Sequence, residues 1–109
     1  MNAMPDNTII VNDIVGNTIK LRVKGEGLIN KVKGLGFSHS DVFMIKIVED
    51  ENEKLNVIRE LVKLEALFSF GYGWYPSEVM AFYKEKGIYT GSYKVISWSG
   101  QSHYRIEDK

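Results

Sequence analysis

Cysteine is absent from this 109-residue chain. Its absence excludes a disulfide framework, a thiolate nucleophile and any Cys-based zinc site. Histidine is almost as scarce. His39 and His103 are far apart, and no spaced His/Asp/Glu signature joins them, so no metal site and no cofactor are predicted. An excess of one charge is also missing: 14 Lys and Arg balance 14 Asp and Glu. Proteins that coat nucleic acid without sequence preference carry a basic excess, so that class is disfavoured except through a local patch. Long hydrophobic runs are lacking as well. The longest apolar stretches are a few residues, against ~20 for a bilayer span. The first six residues have neither the basic nor the apolar region of a leader. These absences predict a cytoplasmic protein with no membrane partner.

What is present suits one domain over residues 1–109. The apolar content of 44% is that of a globular chain, and no repeat or low-complexity tract divides it. Lys outnumbers Arg, and Ile and Asn are common, the bias of an AT-rich genome such as that of a low-GC bacterium or its phage. All aromatic residues except Phe37 and Phe43 lie beyond residue 67. The C-terminal part therefore supplies much of the packing, or a sticky surface.

Residues 8–11 and 18–24 read as strands around a Gly16-Asn17 turn. The second strand alternates, with Ile19, Leu21 and Val23 on one face and Lys20, Arg22 and Lys24 on the other. Residues 25–40, with Gly25, Gly27, Gly34 and Gly36, read as loop, with room for a short strand near residues 30–33. Residues 42–48 are nearly all apolar and predict a central strand covered on both faces. Residues 53–68 place Val57, Ile58, Leu61, Val62, Leu64 and Phe68 on one helical arc. Asp50 with Glu53 forms a capping box. A hairpin over residues 42–60 is the rival reading, but the adjacent Val57 and Ile58 break strand alternation and favour a helix. Pro76, Glu78, Lys84, Lys86 and Gly87 mark the ends of a second helix. A last hairpin runs from Tyr93 to Ile106 around Ser99-Gly100. The expected fold is α+β: a mostly antiparallel sheet of about five strands, with two helices (about 53–69 and 76–86) packed on one face.

Three places can carry function. The stretch from Phe68 to Glu78 sets Tyr72, Gly73, Trp74, Tyr75 and Ser77 before a helix N-terminus. There, amides attract an anion and rings can stack on a base; equally, the rings can simply fill the core while the glycines make the turn. The basic row Lys20, Arg22 and Lys24 can meet phosphates or be an ordinary solvated strand face. The end hairpin puts His103 and Arg105 on one face, where they can contact an anion or merely flank cross-strand aromatic pairing. Ser38-His39-Ser40-Asp41 has the letters of a catalytic relay, but neighbours on an extended chain point to opposite faces.

The expectation is a small non-enzymatic binding protein for an anionic ligand such as a nucleotide. Tyr72, Gly73, Trp74, Tyr75 and Ser77 form its loop, and Arg22, His103 and Arg105 supply charge. Two alternatives stand beside it: a protein-interaction module or inhibitor using the acidic segment 49–53, and nucleic-acid binding by strand 20–24. Enzymatic function ranks last, for want of an acid–base or nucleophile constellation. The many aromatics also make a homo-oligomer an expected state.

Overall fold

In the computed structural model, which describes residues 4–71, 73, 75–100 and 103–109, the chain opens with the expected hairpin. Strand β1 (Thr8–Val15) pairs antiparallel with β2 (Thr18–Lys24). Gly16 takes a positive φ of 57° in the two-residue turn between them. Helix α1 (Glu26–Gly34), strands β3 (Ser38–Ser40) and β4 (Phe43–Ile47), and helix α2 (Glu51–Lys63) follow. Strand β5 (Leu67–Ser69), helix α3 (Pro76–Glu85), and the strands β6 (Lys94–Trp98) and β7 (Tyr104–Asp108) complete the fold.

The α+β class is as expected, and its details differ. Among the described residues the sheet has seven strands in the order β3-β4-β2-β1-β5-β6-β7. It is mixed, because β5 lies parallel to both β1 and β6. Helices number three among the described residues, not two. The extra one, α1, falls in the stretch read as loop. Its Leu28, Ile29 and Val32 pack toward the core at helical spacing, with Glu26 in the first turn and Lys31 and Lys33 in the last. That packing outweighs the propensity cost of Gly27 and Gly34, up to ~1 kcal/mol each against alanine.

The long helix expected at 53–69 begins two residues earlier and stops at Lys63, leaving residues 67–69 to β5. The Glu65 N–H bonds to the Val62 carbonyl at 2.9 Å, and the Ala66 N–H to that of Leu61 at 3.0 Å. This is a Schellman closure, with Glu65 at a φ of 60° where glycine is usual. Helices α1 and α3 close in the same way, through Gly36 and Gly87. Strand β4 is not covered on both faces: Met44 is buried while Ile47 is 73% exposed.

All three helices pack on one face of the sheet. Val32, Ile58, Leu61 and Met80 meet Ile9, Val11, Ile19, Leu21, Phe68 and Val95 in one core. On the helix-free face, Ile10, Leu67 and Ile96 form a smaller cluster beneath Met4 and Trp98. No helix among the described residues is long and apolar enough to cross a membrane.

Candidate functional site

The loop after β5 leaves the sheet between β1 and β6, at the C-terminal end of the parallel strands. Ligands of open α/β sheets bind at such ends. The Phe70 N–H bonds to the Ile96 carbonyl at 2.9 Å, so the loop starts directly beside the β6–β7 hairpin. Tyr72 and Trp74 lie outside the described residues. Gly73 is exposed at a φ of 82°. Tyr75 is half-exposed, and its ring lies so close over Gly71 that any Cβ there would overlap it. Ser77 is buried and its hydroxyl is committed to Gly71, accepting from the N–H at 3.2 Å and donating to the carbonyl at 3.4 Å. Pro76 brings no N–H to the first turn of α3, and the Glu78 and Val79 amides both go to the Tyr75 carbonyl. With Glu78 adding negative charge, this helix start offers an anion few donors.

The remaining expected residues are dispersed. His103 is exposed at the hairpin tip, and its carbonyl accepts from the Ser99 N–H at 2.9 Å. Arg105 stands opposite Ser97 on the edge strand and pairs with Glu107 at 2.9 Å. A hydrogen bond from Lys109 and the Arg105 charge hold the Glu107 carboxyl below the usual carboxylate range. Arg22 is on the helix-free face beside Ile10. It sits two strands, about 10 Å, to the side of β5 and roughly another 10 Å along the strands from the loop. The structure thus sets the start of the loop, at Phe70, beside β6 of the hairpin and leaves Arg22 apart. The basic row is also partly neutralised. Lys24 pairs with Asp6 at 3.1 Å, while Lys20 reaches Asp13 at 3.9 Å and lies over the Phe43 ring.

A different concavity is lined mainly by apolar side chains. It is a groove of 870 Å³ walled by the end of β1, the first turns of α2 and the outer side of α3. Val15, Phe82 and Ile88 stand 61%, 48% and 44% exposed along it, above Leu55 and Val79. Ile88 is there because of how α3 ends. In each Schellman closure an apolar residue follows the positive-φ position: Phe37 after α1, Ala66 after α2, Ile88 after α3. Phe37 and Ala66 are buried at 3% and 1%, and Ile88 alone is left open.

Comparison with family models, curated proteins and solved structures finds no match. The reading of this surface therefore rests on its own chemistry. The groove's polar wall is fixed. The Tyr83 hydroxyl donates to Glu51 at 3.1 Å, and the Lys54 ammonium donates to the Gly16 carbonyl at 2.8 Å, with Glu51 3.8 Å away. Burial, then the Glu51 hydrogen bond and charge, push the Tyr83 phenol up to about 12, so at neutral pH it is a donor and not a base. Glu49 and Asp50, which immediately precede Glu51 in the chain, are both exposed. Lys86 lies 5.8 Å over the Phe82 ring at the far side. Among the described residues no group of three His, Asp or Glu is placed to hold a metal ion. The sequence signal for the groove was available: Phe82 and Ile88 fall off the inward stripe of Val79, Met80 and Tyr83.

Proposed function

We propose that this chain is a protein-interaction module that captures an apolar segment carrying basic residues. The observation behind this reading is the open groove of Val15, Phe82 and Ile88 against the acidic start of α2. Its size is within the ~300–1,000 Å³ of sites that enclose small ligands or anchoring side chains. A patch of contiguous exposed apolar groups rimmed by charge is the usual mark of an interaction surface. The apolar floor supplies affinity, and Glu49, Asp50 and Glu51 select a cationic partner.

The test is fluorescence anisotropy with two synthetic amphipathic helices of equal length, one of leucine and lysine, the other of leucine and glutamate. The basic peptide binds and the acidic one does not. Phe82→Ser weakens binding about ten-fold, matching ~1.4 kcal/mol lost with half of one ring's burial. Glu49→Lys with Asn52→Lys weakens it similarly while sparing the Asp50 cap and the Glu51–Tyr83 bond. Equal binding of both peptides, or of neither, sinks the proposal.

A second reading is favoured by the position of Phe70 at the C-terminal end of β5, where its N–H meets the Ile96 carbonyl in the strand that leads to the Trp98–Tyr104 ring pair. There Tyr75 and the neighbouring rings recognise an anionic planar ligand such as a nucleotide. Tryptophan fluorescence against a nucleotide panel decides it, and a flat response to every nucleotide removes it.

A further inference from the structure

We infer that the protein forms a two-fold dimer by antiparallel pairing of β7 with β7 of a second copy. This inference is independent of the groove. The two edges of the sheet differ. On one side β3 is only three residues, Ser38–Ser40, and is followed by Asp41 at a positive φ of 59°. On the other, β7 runs five residues, Tyr104-Arg105-Ile106-Glu107-Asp108. It contains no proline, glycine or bulge. The charges it carries, Arg105 and Glu107 on the helix side and Asp108 on the other, are of both signs, so they oppose pairing only in registers that set like against like.

The hydrogen-bond phase of β7 is fixed by its ends. The Lys109 N–H bonds to the Tyr93 carbonyl at 2.8 Å, and the His103 carbonyl accepts from the Ser99 N–H at 2.9 Å. Residues 105 and 107 therefore direct their backbone groups to β6, and Tyr104, Ile106 and Asp108 direct theirs outward. A second β7 laid antiparallel with Ile106 opposite Ile106 matches these outward groups over the whole strand and forms about six inter-chain bonds.

The side chains select the same register. With Ile106 on the two-fold axis, each Arg105 faces Glu107 of the other copy in a non-hydrogen-bonded pair, the closer kind, where opposite charges stabilise. Sliding by two residues in either direction sets Arg105 against Arg105 or Glu107 against Glu107, which is unfavourable. On the other face, the 43%-exposed Ile106 meets its own copy, extending the apolar row from Ile96. Strand β7 ends the sheet order among the described residues, and α3 touches its far end through the Lys84 ammonium, which donates to the Lys109 carbonyl at 2.6 Å. Such a contact is isologous and closes on itself, so it gives dimers and not filaments.

Sedimentation velocity and native mass spectrometry over rising protein concentration test this, with circular dichroism checking that each variant is folded. Wild-type protein shifts from monomer to dimer mass. Ile106→Pro, which removes an outward N–H and leaves the β6 ladder whole, stays monomeric. Arg105→Glu and Glu107→Arg each weaken self-association about ten-fold, since every substitution acts twice across the axis. An equimolar mixture of these two variants recovers a dimer containing one of each, because the opposite charges again face one another. Wild-type protein that is monomeric throughout overturns the inference, as does a mixture no more associated than either variant alone.

Discussion

The Tyr83 phenol ties α3 to the first turn of α2 through Glu51, and its proton matters to stability. Burial and the Glu51 carboxylate raise it from 10.0 to about 12. Between those values the unfolded chain has released the proton and the folded chain still holds it. The stabilisation is therefore complete below about pH 10 and is lost as pH rises through about 12. Burial raises Tyr89 and Tyr93 as well, so all three act in the same direction. Urea unfolding across this range should show midpoints falling with pH. The fall should be shallower in Tyr83→Phe, whose ring still fills the same space. An identical slope in that variant would show that Tyr83 carries none of the loss. This phenol was legible in the sequence only as an inward residue of α3. Its partner Glu51 is 32 positions away, a distance that periodicity does not bridge.

At the scale of elements, the start of α2 is the clearest case of a local rule becoming structure. Asp50 accepts from the Glu53 N–H at 2.8 Å, and the Glu53 carboxylate reaches back to the Glu49 N–H at 2.6 Å. Asp50→Ala should cost about 1 kcal/mol, roughly 4–8 °C in melting temperature for a domain near this size, whereas Asp50→Ser should keep the cap and the stability. A calorimetric scan in which the two variants melt together would contradict the role of the cap. This box, Pro76 and Gly87 were readable because each acts within one turn of chain. Helix α1 was not, because four glycines mask an apolar stripe that only tertiary packing rewards. The end of α2 was not, because Glu65 occupies a left-handed position that a sequence rule reserves for glycine or asparagine. The candidate loop was legible as a loop before a helix. The commitment of Ser77 to Gly71 was not, since a hydroxyl's partner is settled only when the chain folds back on itself.

At the scale of the whole molecule, strand order was the least legible property. Strand β5 has only three residues, yet it sits between β1 and β6 and makes the sheet mixed. No local pattern records an insertion between strands so far apart in sequence. That order also sets how the two proposed surfaces relate. The groove lies at the end of β1, and the free edge is β7, three strands away, about 15 Å across the sheet. They share no residue, and sites this far apart without common partners act additively to within about 0.5 kcal/mol. Phe82→Ser should therefore lose the basic peptide yet dimerise as wild type, and Ile106→Pro should bind the peptide as wild type yet stay monomeric. In the double variant each loss should equal that of its single parent. Peptide affinity that falls in Ile106→Pro would instead place the bound segment across the seam between two copies, and the groove would then have to be redrawn as one half of a site the dimer completes.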